Sequence, residues 1–286
     1  MKYPKISVII PFYSSTKGIL KKAVLSVLAQ SVWDIELLII DDKSPLTAKG
    51  ELEDIFDERI KIIELDHNQG GGVARSIGII NAEGEYLSFL DYDDVWYNYK
   101  LEKQLKHFEA INDNKTVLYS KCKIKEFNRT FIRPLRAKNK DETVGEYLFC
   151  NNGLIQTSGI FLKKDMLNQV KFHALKRHQD YQFCLSLEQN GANFTLDEEV
   201  LYEFIQIPKL NDYSFSIKWL NEYSTYLNPK AIRGFKLNVI IRSMIKHNDY
   251  NKVIQYAYRE KMVMRSLKMF GKIMIKRFLI IVGFLK

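Results

Sequence analysis

Cysteine is scarce and unpatterned. The chain has three, Cys122, Cys150 and Cys184, with no Cys-x-x-Cys among them. An odd, widely spaced set excludes a disulfide framework and a cysteine zinc site, and it fits a reducing cytoplasm. Long apolar runs are missing as well. Spanning a bilayer takes roughly 20 apolar residues, and the closing run over residues 278–285 falls far short. The first residues, Met1-Lys2-Tyr3-Pro4-Lys5, lead straight into a strand-like segment, so no signal peptide is expected. Acidic residues nearly vanish near the end. Residues 230–286 hold 14 Lys and Arg against Asp249 and Glu260, a balance of +12, while the first 229 residues carry −3. That asymmetry points to an anionic surface, either nucleic acid or membrane.

What remains is globular. Hydrophobic residues make up 46% of 286, enough for one α/β domain and an appendage. Short apolar runs at 6–11, 35–40, 60–65 and 85–90 read as strands. Amphipathic or glycine-led segments at 19–30, 52–56 and 70–81 read as helices between them. Strict alternation predicts a mainly parallel, Rossmann-like sheet with helices on both faces.

Two of these strands end in carboxylates. Residues 86–90 run into Asp91-Tyr92-Asp93-Asp94, and residues 35–40 into Asp41-Asp42-Lys43-Ser44. Oxygen-rich clusters suit hard divalent cations, and ligands of open α/β sheets bind at the carboxyl ends of strands. Taken alone, the Asp-x-Asp cluster reads first as a solvated loop with a helix cap, and Asp41-Asp42 also reads as turn chemistry. Asn68-Gln69-Gly70-Gly71-Gly72-Val73-Ala74-Arg75 is not a dinucleotide fingerprint, because Arg75 stands where the third glycine belongs. A turn whose backbone approaches a phosphate, with Arg75 in reach, remains.

Taken together, Ser7 through Tyr13, Leu38 through Ser44, Asn68 through Arg75 and Phe89 through Trp96 resemble the family 2 glycosyltransferases. These are inverting enzymes of the GT-A fold that use nucleotide sugars. The resemblance spans roughly residues 4 to 205. It implies that Pro11 and Tyr13 line the nucleobase pocket, with Tyr13 stacking on the base. It implies that Asp41 or Asp42 accepts a base N–H, and that Arg75 faces ribose or phosphate. Asp91 and Asp93 are the implied metal pair for Mg²⁺ or Mn²⁺, with Asp93 in direct contact. A divalent cation stabilises the charge that develops on a sugar diphosphate leaving group. In Gln179-Asp180 the family's usual Glu-Asp becomes Gln-Asp, and Asp180 is the implied catalytic base. Taken alone, Asp180 is as well read as a helix N-cap.

The other segments carry less. Helix is expected over 101–112, strand over 117–127, a basic loop over 129–140, strand over 157–162, a helix to 191, and strand over 200–204. A catalytic domain is expected over 1–210, with the donor site in 1–97 and the acceptor side in 98–210, and a helical extension over 211–286. Breaks in the extension are expected near Pro229 and Asn248-Asp249. In its last segment Lys261, Arg265, Lys268, Lys272 and Lys276 form one cationic stripe beside Val263, Leu267, Phe270, Met274, Phe278 and Ile281, a pattern suited to an anionic bilayer surface. Its bland counterpart is a helix packed on the catalytic domain. The Gln-x-x-Arg-Trp signature of processive synthases is absent, so a single sugar per acceptor is expected.

The expected function is metal-dependent inverting transfer from a nucleoside diphosphate sugar, with a UDP-sugar the leading donor. The expected acceptor is a bacterial surface polysaccharide (lipopolysaccharide or capsule) or a lipid-linked glycan. The expected place is cytoplasmic, peripheral at the inner face of the plasma membrane. Nucleic acid is not an expected partner, since the tail has no stacking platform. The competing reading is a sugar-phosphate nucleotidyl-handling or non-catalytic protein whose basic tail binds an anionic partner. A first strand ending Pro11-Phe12-Tyr13, without a Gly-rich Arg loop, weighs against it.

Overall fold

The computed structural model describes residues 4–127, 129–205 and 212–281, Ile281 by its backbone alone. Four apolar segments build one half of a sheet: β1 (Ile6–Phe12), β2 (Ile35–Asp41), β3 (Ile60–Glu64) and β4 (Tyr86–Phe89). Every residue of β1 and β2 is buried, as strands covered on both faces require. Their order is β3-β2-β1-β4, and each pair is parallel.

Helices α1 (Ile19–Leu28) and α3 (Gly71–Asn81) cover opposite faces. Leu20, Ala23, Val24 and Val27 of α1 share an apolar cluster with Val8, Ile10 and Phe12. The alternate residue Ile9 meets α3, where a Cβ on Gly78 would lie 2.4 Å from Ile9 Cγ2. Only glycine lets that helix approach so closely. Helix α2 is a single turn, Ala48–Glu51, capped by Thr47, whose Oγ1 accepts from Gly50 N at 3.1 Å. It precedes the expected 52–56 segment, because the Thr47 cap starts it early and Leu52 already ends it.

Beyond β4 the sheet is mixed. β5 (Val95–Trp96) follows the acidic turn, and α4 (Lys100–Ile111) leads to β6 (Thr116–Glu126) and β7 (Arg129–Arg133). After α5 (Val144–Cys150) come β8 (Phe161–Lys163), α6 (Gln179–Gln189) and β9 (Asn193–Ile205). β8 runs antiparallel to β4 and β6, and β6 runs parallel to β9. β5 and β7 add antiparallel edges. The parallel order expected from alternation therefore describes the first four strands.

Three segments differ from expectation. Part of the basic loop over 129–140 is β7, whose side chains are nearly all exposed; an edge strand with no buried face leaves no alternation to read. Residues Thr157–Gly159 form a 3₁₀ turn, and the strand there is only Phe161–Lys163. β9 begins at Asn193 rather than near 200. Its Asp197-Glu198-Glu199 stretch hides the strand, and the register with β6 shifts beside it, after Ser120 and again after Lys121.

The chain divides into two compact units, Met1–Val144 with Gly153–Ile207, and Gly145–Asn152 with Pro208–Lys286. The second therefore includes most of α5, which falls within the 98–210 stretch expected to form the acceptor side. Its other elements are α7 (Tyr213–Tyr223), α8 (Pro229–Phe235), a π-helical segment (Lys236–Ile241), α9 (Arg242–Lys246), α10 (Tyr250–Arg259) and α11 (Val263–Ile281). Chain breaks fall at the expected points. Asn228 caps α8 by accepting from Ala231 N at 2.8 Å ahead of Pro229, and Asn248 turns with φ 61°. An aromatic stack centres this unit: Trp219 lies 4.9 Å from Phe235, and Phe149 of α5 meets Phe235 edge-on at 4.8 Å. Among the described residues no helix is long and apolar enough to cross a membrane.

Candidate active site

The chain runs β1, β2, β3 to one side of the sheet and then returns to β4 on the other side of β1. Strand ends meet at this switch: Asp42 N donates to Phe12 O at 2.9 Å, and Leu90 N donates to Ile9 O at 3.0 Å. The crevice outside such a switch is where open α/β sheets bind ligands. Here it is a cleft of about 350 Å³ lined by Pro11, Tyr13, Asp42, Gly71, Arg75, Asp91, Asp93 and Gln179, with Phe12 and Tyr92.

Nearly all the residues expected at the site converge on this cleft, with Asp41 and Asp180 outside its lining. Asp41 accepts from Ser44 N at 2.8 Å and Ala48 N at 2.7 Å, which shapes the loop after β2. Asp42 accepts from Gln69 N and Gly70 N, each at 2.7 Å. It thereby fastens the glycine turn to β2, and a carboxylate retains further lone pairs for a ligand. Tyr13 lines the cleft and is 47% exposed. Gly70 takes φ 87°, which favours glycine. Gly72 answers to packing rather than to a ligand, since a Cβ there would lie 2.2 Å from His173 O.

Arg75 is the electrostatic hub. It is buried and forms an ion pair with Asp91 through Nη2. Its Nη1 donates to Gln179 Oε1 at 2.7 Å, and its Nε, also buried, has no partner among the described residues. Burial works against the Arg75 charge, but Asp91, Asp180 and Asp93 outweigh it and raise the pKa above its ordinary value. Asp91 Oδ1 also accepts from Thr157 Oγ1 at 3.3 Å.

Asp180 sits in the first turn of α6. The helix starts after His178, at φ 62°, with no side-chain hydrogen bond to its N-terminus, so Asp180 is not its cap. Burial, then the charge of Asp91, push the Asp180 carboxyl up to about 7, while Arg75 pulls the other way.

Whether these residues fit a divalent cation depends on the donor set. Among the described residues no group of three or more His, Cys, Asp or Glu is placed to hold a metal by itself. Asp91 and Asp93 share the cleft and offer hard oxygens. They fit Mg²⁺ or Mn²⁺ as part of a set completed by phosphate oxygens and water, the usual habit of Mg²⁺.

Two side chains have contacts that their place in the sequence does not reveal. Gln179 lines the cleft and orients Arg75; its replacement of the family Glu was the only signal. Asp94, 1% exposed, accepts from Ser158 Oγ at 2.6 Å, Gln156 Nε2 at 3.0 Å and Ile205 N at 3.3 Å. Burial and the nearby Asp91 hold its pKa well above the carboxylate range. Nothing local in the sequence marks its partners, more than 60 residues away.

Comparison with known proteins places this geometry. The sequence model described as Glycosyl transferase family 2 matches residues 7–170; Asp180 lies beyond that match. The chain is similar to the amylovoran biosynthesis glycosyltransferase AmsB of Erwinia amylovora, 30% identical over 254 residues, covering 82% of this chain and 83% of that one. It is similar to the putative teichuronic acid biosynthesis glycosyltransferase TuaG of Bacillus subtilis, 28% identical over 222 residues, covering 76% and 83%. Among solved structures, S. aureus TarS 1–349 in complex with UDP-GlcNAc aligns with a TM-score of 0.59 at 18% identity, covering 85% of this chain and 73% of that one. At that identity the likeness establishes the GT-A fold.

Proposed function

The chain belongs to glycosyl transferase family 2 and is a glycosyltransferase, and from that premise we propose that it moves a single sugar, with inversion, from a nucleoside diphosphate sugar to a surface-polysaccharide or lipid-linked glycan acceptor. The observation that carries this is the convergence of Tyr13, Asp42, Arg75, Asp91 and Asp93 on one cleft at the switch point of the sheet. The UDP-GlcNAc in the TarS complex favours a UDP-sugar as donor. The relatives' names, in amylovoran and teichuronic acid biosynthesis, favour polysaccharide biosynthesis as the setting.

The chain's own residues have distinct tasks in this reading. Tyr13 stacks on the base beside Pro11, and Asp42 accepts a base N–H. Arg75 Nε meets a phosphate oxygen, which satisfies its unpaired donor. Asp93 and Asp91 would hold Mg²⁺ or Mn²⁺, which supplies charge stabilisation for the diphosphate leaving group. Asp180 takes the proton of the attacking acceptor hydroxyl. A carboxyl at about 7 is matched to that task at neutral pH.

The lipid-linked nature of the acceptor is inferred from the C-terminal helices alone. Along α11 the side chains of Ser266 and Met269 turn inward, while Met264, Leu267, Ile275 and Phe278 form an exposed line beside Lys268, Lys272 and Lys276. An apolar line bordered by cations suits an anionic membrane surface. We place the enzyme there, at the cytoplasmic face where a lipid-linked acceptor is presented.

The test is a thermal-shift screen of UDP-, GDP- and dTDP-sugars with and without Mn²⁺. A bound donor at a hundredfold excess over Kd adds about 2.7 kcal/mol of stability. A Mn²⁺-dependent shift with one UDP-sugar is the expected result. No shift with any nucleotide sugar would overturn the reading.

A further inference from the structure

The corner between α10 and α11 gathers three cations that no acid among the described residues pairs with. Lys261 makes the turn with φ 54°. Around it lies an open groove of about 660 Å³ whose lining includes Arg233, Lys261 and Arg265. All three are exposed, and none has an ion-pair or hydrogen-bond partner for its side chain among the described residues. The one acid in the lining, Glu260, is already held by Lys236 and by Arg259, the latter at 3.1 Å. Three unpaired cations around one groove would repel each other, and an anion removes that cost.

The rim of the same groove is apolar. Tyr258 is 79% exposed and Met264 70%, and Val263 stands exposed between Met264 and the corner. Exposed apolar groups beside a cationic groove match a ligand with an anionic head and a hydrocarbon tail. Arginine favours phosphate in particular, because its planar fork makes two parallel hydrogen bonds to one phosphate group.

We infer that the α10–α11 corner is a binding site for the phosphate head of a lipid, held by Arg233, Lys261 and Arg265 with its chain lying over Val263 and Met264. This rests on the membrane reading above and deepens it. The α11 line would attract any anionic surface, whereas the corner would choose the head group. A phosphomonoester, with more oxygens open to a guanidinium fork than a diester, is the preferred head. The occupant is a phospholipid of the bilayer on which the α11 line rests, and it anchors the unit there.

The experiment uses the full chain and vesicles of phosphatidylcholine doped with phosphatidate or with phosphatidylglycerol, matched in surface potential. The wild type should bind phosphatidate vesicles at least about fivefold more tightly, the equivalent of one added cation contact. Arg233→Gln with Arg265→Gln should bring the two affinities level. Lys268→Gln with Lys272→Gln should weaken both and keep their ratio. All four positions are exposed, so folding should survive, and circular dichroism checks it. Equal wild-type binding to both vesicles would overturn the site while leaving the membrane reading intact. Binding to neither would remove both. Inorganic phosphate displacing the protein as effectively as soluble short-chain phosphatidate would assign the groove to a soluble anion and overturn the lipid assignment.

Discussion

Ser158 Oγ stands 2.6 Å from Asp94 Oδ2 and 3.0 Å from the amide of Asp91. One hydroxyl thus donates to the buried acid and accepts from the backbone of the neighbour that pairs with Arg75. Ser158→Ala leaves both groups without that partner. It should cost about 1–3 kcal/mol and weaken Mn²⁺-dependent donor binding by loosening the turn. Urea denaturation and donor titration read the two effects. Unchanged stability and affinity would show that the turn holds its shape without Ser158.

Asp180→Asn should reduce transfer by about 10²- to 10⁴-fold and keep donor binding. Its stability follows from the sign of the shift. The folded-state pKa, about 7, lies above the ordinary 3.8, so the folded chain holds this proton where the unfolded chain has released it. Stability is then lost as pH rises from about 4 to 7, and the loss is complete above. Asn escapes it. The variant should melt above wild type at pH 8, with the gap closing toward pH 4. A gap that does not vary with pH would contradict the raised pKa.

Asp93→Ala should abolish the Mn²⁺-dependent thermal shift with a nucleotide sugar while unfolding remains cooperative. It removes one oxygen donor and relieves repulsion among neighbouring carboxylates. A surviving shift would move the metal contact away from Asp93.

Gln179→Glu should shift the acid limb of the kcat/KM profile to higher pH. The new carboxylate would sit against Arg75 Nη1, where Gln179 Oε1 now accepts at 2.7 Å. It adds negative charge beside Asp180 and competes for the arginine that now lowers the Asp180 pKa. An unmoved limb would separate Gln179 from the titration.

The donor half of the fold was legible because its signals are local. Buried parallel strands print continuous apolar runs, and the carboxylates that end them sit beside them in sequence. The second half was harder for physical reasons. β7 buries no face, and β9 carries Asp197 to Glu199 through a register shift, so neither shows a clean period. Of the residues that line the cleft, Pro11, Tyr13, Arg75, Asp91 and Asp93 were found by motif. The choice between Asp41 and Asp42 was not, because it depends on which carboxylate faces the loop and which the cleft. The burial of Asp94 was invisible, since its partners arrive from Gln156, Ser158 and Ile205.

Gly72→Ala tests packing at the edge of the cleft, where the added Cβ would also lie 3.5 Å from Gln179 Cδ. With His173 O 2.2 Å from the added Cβ, the α3 start or the 173 segment must move. A cost of about 1–3 kcal/mol is expected, read as a lower urea midpoint. A neutral result would mean that the segment yields freely.

Residues 145–152 belong with the C-terminal helices, and Phe149 completes their aromatic stack. On the ribosome this has a timing. Phe149 emerges 86 residues before Phe235, which at about 5–20 residues per second leaves it waiting roughly 4–17 s for its partner. In chain order this apolar segment falls between β7 and β8, so it is synthesised before the sheet's last strands and before its own partners. The C-terminal unit, in turn, is not a cassette that recombination could append whole: a fragment starting at residue 208 would arrive without the ring that Trp219 and Phe235 close upon.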